Sequence, residues 1–347
     1  MLELFEFQDP EKVNDLIFLL AMAIGAFGLS MLLTPVLTHF LYKYKFWKKQ
    51  QTQSAVTGEQ TPIIQKLHSG KIKRNLPTMA GILVVFVVML LTVIFNLDRS
   101  QTFLPLFAIG SFAVIGIIND VMNVKGIGRN AGISSKLKWI LLLALAALCA
   151  WWFYYKLGWS TIHIPAWGDL EIGWWYFPLF MLVIVSTANA VNITDGLDGL
   201  AGGLTSMAFG AFGAIAFARG QIGLAVFCGT VMGALLAYTW FNIYPARFIM
   251  GDTGSLALGA TLGVVAMLTN SVLVLPIIGF VFVIDTGSSL LQISSKKIFH
   301  RKIWPIAPLH HYFEYKGWPE TKVTMRFWVI GAVFAIIGLA IGLIGRG

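Results

Sequence analysis

The chain has 347 residues, of which 57% are hydrophobic and only 12% charged. A soluble domain carries about 25% charged residues, so a soluble core is excluded and the composition is that of a polytopic membrane protein. The formal net charge of +9 suits either an acidic polymer or an anionic membrane surface, and sidedness decides between them.

Residues 1–15 carry Glu3, Glu6, Asp9, Glu11 and Asp15 against the single Lys12. A cleaved signal would begin basic, so the first apolar run is expected to remain as a membrane span. Apolar runs predict spans at 16–42, 80–97, 102–118, 139–155, 174–188, 199–218, 221–241, 255–269, 271–292 and 327–344. The short run at 255–269 predicts tilt or partial crossing. The expected fold is all-α and polytopic, with about ten transmembrane helices of roughly 20 residues. It forms a single integral membrane domain over residues 1–347, with both termini on one side.

Lysine and arginine sort by side. The loops after spans one, three, five, seven and nine hold twenty of the 25. Lys12, Arg99, Lys156, Arg219 and Arg346 fall opposite. The positive-inside rule puts the first set in the cytoplasm and both termini outside. The basic charge is then a topology signal and an attraction to anionic lipid, and no nucleic-acid partner is expected. Cys149 and Cys228 lie in separate apolar runs and read as small buried hydrophobes. Segment 157–173 alternates weakly and contains Pro165 and Gly168, which predicts a small hairpin at the periplasmic surface. Trp151, Trp152, Tyr154, Tyr155, Trp174, Trp175 and Tyr176 around it fit an interfacial belt. No internal repeat supports a repeat-built transporter.

The polar clusters all fall on the basic side: 68–81, 119–138, 189–203, 241–255 and 305–320. If the helix of span five runs on through "NAVNITDGLDGLAGG", Asn189, Asn192 and Asp195 fan over about a third of its surface. Gly196 and Gly199 let the chain turn, and Asp198 points from the turn. A carboxylate at mid-helix costs about 2.5–3.5 kcal/mol in a membrane, so two Asn and two Asp in register point to a site more than to an Asp-Gly turn. In "GDTGS", Asp252 precedes span eight, where Thr253 or Ser255 could cap the helix. With Asp120 and Asp195 on neighbouring helix ends, Asp252 forms a candidate metal cluster. Hard oxygens without a Cys cluster favour Mg²⁺ or Mn²⁺, and with them phosphoryl or diphosphate chemistry. The adjacent His310 and His311 read as phosphate contacts alongside Lys and Arg, or as structural residues; zinc would need a third protein ligand. The carboxylates are read at helix ends, whereas a transporter would place charge at mid-span.

Together, "NAVNITDGLDGLAGG", "FNIYPARFIMGDTGSLALG" and "APLHH" followed by "EYKGWPE" resemble the polyprenyl-phosphate N-acetylhexosamine-1-phosphate transferases. The His pair before "GWPE" resembles their phospho-N-acetylmuramoyl-pentapeptide transferase branch. The likeness covers residues 16–344. It implies Mg²⁺-dependent transfer of phospho-N-acetylmuramoyl-pentapeptide from UDP to undecaprenyl phosphate, releasing UMP, for peptidoglycan synthesis. It also implies a ten-helix homodimer in the bacterial inner membrane with a cytoplasmic-face active site. By the same resemblance, Asp252 and Asn192 match metal-site positions. Asp120, Asn192, Asp195, Asp252, Lys138, His310 and His311 match catalytic positions. Lys71, Asn189, Gly196, Leu197, Asp198, Asn242 and Gln292 match substrate-binding positions.

The chain departs from that pattern. Asn119 stands where the family has an Asp, and Asn cannot take a proton; Asp120 or Asp195 then serves as base, or none is needed, or activity is reduced. Asn123 replaces a Lys, with Lys125 nearby. Ile249 replaces a nucleoside-pocket aromatic, with Phe248 beside it. Tyr312 replaces a third His, Ala80 a Gly, and Asn75-Leu76 a Gly-Thr. The alternatives are a UDP-N-acetylglucosamine transferase of the sister branch and a catalytically silent homologue that binds lipid or nucleotide.

Overall fold

The computed structural model describes residues 10–47, 75–128 and 131–344. Among the described residues, twelve α-helices follow one another: α1 (Pro10–Lys43), α2 (Gly81–Phe95), α3 (Phe103–Lys125), α4 (Ser135–Trp151), α5 (Tyr176–Thr194), α6 (Leu200–Ala218), α7 (Ile222–Asn242), α8 (Gly251–Leu268), α9 (Leu275–Ile278), α10 (Phe280–Phe299), α11 (Leu309–Tyr315) and α12 (Glu320–Leu343). Among the described residues, eight helices are long and apolar enough to cross a membrane. Of the other predicted spans, α2 is apolar but has 15 residues. The second, α10, carries Asp285, Gln292, two lysines and five hydroxyl side chains.

Several helices outrun the apolar runs that announced them. α3 continues through Asn119 and Asp120 to Lys125, and α5 through Asn192 to Thr194. A polar residue ends an apolar run but need not end a helix when its side chain finds a partner inside the protein. The predicted span 271–292 is not one helix. Asn270 has φ of 47°, a short turn leads into α9, and a new helix starts after Gly279 and runs on to Phe299.

α8 is the centre of the bundle. It packs against α2, α3, α5 and α6, and 94% of its apolar stretch is buried, against 22% in α1. With lipid outside, packing and small residues hold helices together more than hydrophobic contrast does. Gly81 and Gly116 allow that approach: a Cβ at Gly81 would fall 2.3 Å from Gly254 Cα, and one at Gly116 would fall 2.4 Å from the Asp252 carbonyl oxygen. α7 bridges α1 and α6, and α12 closes the bundle against α6. Cys149 and Cys228 are free and buried, as their apolar surroundings predict.

The two ends of the bundle differ. One end carries the hairpin β1 (Thr161–Ile164) and β2 (Gly168–Glu171), antiparallel with Thr161 opposite Glu171. There His163 N–H donates to Asn270 Oδ1 at 2.9 Å, Asn96 Nδ2 to the Gly223 carbonyl at 2.7 Å, and Arg219 to the Gly342 carbonyl at 3.0 Å. These bonds gather the start of α7 and the ends of α2, α6, α8 and α12. The opposite end gathers the ends of α3, α5 and α7 with the starts of α4, α6 and α8, and it holds the polar clusters.

Candidate active site

Asp252, the second residue of α8, is the hub. Its Oδ2 accepts Asn119 Nδ2 at 2.7 Å and pairs with Lys138 Nζ at 2.6 Å; its Oδ1 accepts Asn192 Nδ2 at 2.8 Å. Asn119 comes from α3, Lys138 from the first turn of α4 and Asn192 from the last turns of α5. Asn192 also donates to Ser255 Oγ at 2.8 Å. Asn119 Oδ1 accepts the Ile133 N–H at 2.8 Å, so both ends of its carboxamide are committed. An Asp at 119 could keep the Ile133 bond but would set a second negative charge beside Asp252.

Asp120 does not join this group as a fellow ligand. It is 3% exposed, and its oxygens accept the N–H groups of Asp252 at 3.2 Å and Thr253 at 2.9 Å, and the Thr253 hydroxyl at 2.7 Å. A helix N-terminus leaves its first N–H groups without partners; a carboxylate borrowed from α3 satisfies them and complements the helix dipole. Thr253 and Ser255 therefore do not cap α8, contrary to the sequence reading: neither bonds an N–H of its first turn, and Ser255 Oγ donates to the Gly251 carbonyl at 2.9 Å. Gly251 must be glycine: its φ is +74°, and a Cβ would fall 2.5 Å from Asp120 Oδ2.

Other sequence-predicted residues fasten loops. Asp198, 4% exposed, accepts the Ala246 N–H at 3.0 Å through Oδ2, and its own N–H donates to Glu320 Oε1 at 2.6 Å. Asn242 accepts the Gly199 N–H at 2.9 Å and donates to the Phe248 carbonyl at 2.8 Å. Gln292 Oε1 accepts the N–H groups of Ile303 and Trp304, and its Nε2 donates to the Trp304 carbonyl. Leu197 lies in the hydrophobic core. Asn189 turns back to its own helix and donates to the Val185 carbonyl at 2.8 Å. Asp195, half-buried, ends α5, and Gly196 follows it. Lys71 lies outside the described residues.

His310 and His311 occupy the first turn of α11, both buried. His310 Nδ1 lies 2.7 Å from Asp285 Oδ2, and His311 Nδ1 lies 2.8 Å from Glu314 Oε2. Both rings thus turn a nitrogen to a carboxylate. Asp285 is the residue that sequence reasoning missed: it stands in the second turn of α10, inside the apolar run "FVFVID", and so departs from the reading that carboxylates sit at helix ends. Its one signal was a charge within a predicted span. Of the departures, Phe248 does not stand in for an aromatic at Ile249. It is fully buried and packs on Tyr238 and Phe241 at 5.6 and 6.2 Å.

Among the described residues, no group of three His, Cys, Asp or Glu forms a cage for a metal ion. The donor set fits a hard divalent cation of a different style, one held by a single carboxylate with phosphate oxygens completing the shell. Asp252, with 14% of its side chain exposed, would supply that carboxylate. Asn192 meets Asp252 through its nitrogen, so serving as a ligand requires its carboxamide to turn over. Lys138 now balances the Asp252 charge.

A profile of glycosyl transferase family 4 matches residues 102–270. The phospho-N-acetylmuramoyl-pentapeptide-transferase of Chloroflexus aurantiacus is 39% identical over 347 aligned residues, covering 96% of this chain and 91% of the relative. The protein of the same name from Geobacillus thermodenitrificans is 38% identical and covers 96% and 98%. That from Clostridium perfringens is 35% identical and covers 91% and 94%.

Proposed function

The chain belongs to the phospho-N-acetylmuramoyl-pentapeptide transferases, and on that premise we propose that it transfers phospho-N-acetylmuramoyl-pentapeptide from UDP to undecaprenyl phosphate with Mg²⁺ at Asp252. It is a multi-pass membrane phosphotransferase acting on a UDP-sugar and a polyprenyl phosphate, and the family is generally metal-dependent. The identity of the metal, the undecaprenyl chain, the inner membrane, the cytoplasmic site and a homodimeric assembly belong to the proposal.

The observation that carries the reading is the meeting of Asp252, Asn192, Asn119 and Lys138 from four helices at the basic end of the bundle. In the reaction, a lipid phosphate oxygen bonds to the sugar-linked phosphorus, and the bond from that phosphorus to the bridging oxygen breaks. UMP leaves with the electron pair. Bound Mg²⁺ would neutralise the diphosphate and stabilise charge on the leaving group. Lys138, which pairs with Asp252 at 2.6 Å, would hold a phosphate oxygen by its positive charge. Asp120 would keep the first turn of α8 in place, and with it Asp252 at the meeting of the helix ends. The acceptor is already anionic near neutral pH, so positioning dominates, and the neutral Asn119 is compatible with a reaction that needs no base there.

The test is UMP release by purified protein with undecaprenyl phosphate and Mg²⁺, with UDP-N-acetylmuramoyl-pentapeptide and UDP-N-acetylglucosamine in parallel and EDTA as control. Release with the pentapeptide substrate alone, abolished by EDTA, is expected. Release with the other sugar moves the chain to the sister branch; nucleotide binding without turnover makes it a silent homologue.

A further inference from the structure

Asp285 is 0% exposed. A carboxylate taken wholly out of water is costly and is retained for a partner. Both of its oxygens go to one residue: Oδ2 lies 2.7 Å from His310 Nδ1, and Oδ1 accepts the His310 backbone N–H at 3.1 Å. His310 is also 0% exposed, and its Nε2 has no hydrogen-bond partner among the described residues. That nitrogen faces the turn after α5. A Cβ at Gly196 would fall 2.4 Å from His310 Nε2 and 3.1 Å from Cε1, so the ring edge rests on the bare Cα of Gly196, next to Asp195.

We propose that Asp285 is a positioning residue for the transfer reaction, acting through His310 on the Asp195-Gly196 turn. This deepens the proposed function and rests on it. The hydrogen bond at one imidazole nitrogen decides what the other nitrogen can do. With Nδ1–H donated to Asp285, Nε2 is the atom that meets the turn and whatever is bound against it. The two bonds from one carboxylate fix the tautomer and the height of the ring together. Neither Asp285 nor a substitute at that position need touch substrate for the turn to shift.

The test compares Asp285→Asn and Asp285→Glu in full-length protein in detergent. Asn has nearly the same shape, but its amide can donate to Nδ1 and reverse the tautomer, as an Asp-to-Asn change does in a Ser-His-Asp triad. Asp285→Asn is expected to unfold at the wild-type temperature and to lose about tenfold or more in kcat for UMP release. KM for the UDP-sugar should stay within about threefold, and Asp285→Glu should recover part of the loss. In ¹⁵N-histidine spectra without substrate, the His310 ring nitrogens, assigned by their loss in His310→Gln, should exchange character in Asp285→Asn. A kcat within about twofold of wild type, or ring nitrogens that keep their wild-type shifts, overturns the proposal. If Asp285→Asn does not fold, Asp285→Ser, which removes the carboxylate from Nδ1, is read by the same two measurements. If wild-type protein releases no UMP, the functional reading fails, while the nitrogen spectra still decide the pairing.

Discussion

The start of α8 and the second turn of α10 each set a carboxylate against a nitrogen side chain. At α8, Asp252 keeps 14% of its side chain exposed and collects donors from three other helices, of which Lys138, 19% exposed, can turn away. At α10, Asp285 has no exposed surface and spends both oxygens on a single equally buried histidine. A carboxylate with an opening and exchangeable partners can receive a cation or a phosphate-bound metal. A sealed one can only fix its neighbour. Burial alone therefore does not mark a ligand site in this bundle; what matters is whether the partners of a charge can be exchanged.

Substitutions sharpen that contrast, and the largest effect belongs to the open centre. Asp252→Ala should lower kcat/KM by about 1000-fold or more, equal to about 4 kcal/mol of transition-state stabilisation, at normal expression. UMP release measures it, and wild-type-like turnover would remove Asp252 from the centre. Asp120→Asn should come next. It keeps the shape, but its amide oxygen can accept on one side only and its nitrogen meets an N–H it cannot accept, at about 1.5–3 kcal/mol in stability. Activity should fall in step as the α8 N-terminus loosens. A thermal melt alongside turnover tests this, and an inactive variant with unchanged stability would make Asp120 a catalytic group instead.

Gln292→Ala should act more weakly. It frees three backbone hydrogen bonds that hold residues 303–304 and should raise KM by about three- to tenfold with little change in kcat. An effect confined to kcat would contradict a fastening role. The smallest expected effect lies at the far end. Asn270→Ala removes the bond to the His163 N–H and should cost about 1 kcal/mol of stability, leaving turnover within about twofold of wild type. A larger change in turnover would couple the hairpin to the site.

The sequence made the open centre legible because Asn192 and Asp252 stand out against long apolar runs. The runs also marked where each long helix lies, though not where it ends, since Asn119, Asp120 and Asn192 continue their helices by finding partners in α8. Sequence could not show what a polar atom binds. Asp198, Asn242 and Gln292 read as substrate contacts, yet their polar atoms hold backbone groups of neighbouring loops. Asp285 was hidden by the apolar residues on its N-terminal side, and its partner His310 lies 25 positions away. The break at Gly279, inside the predicted span 271–292, was invisible because lipid-facing and buried apolar residues look alike in hydropathy.

The enclosure of α8 bears on the order in which the molecule is made. The helices it packs against, α2, α3, α5 and α6, all precede it in the chain. When the ribosome reaches Gly251, the walls of its slot have already been synthesised, and little of α8 will ever meet lipid. The segment that delivers Asp252 to the site is thus made after every helix that will surround it.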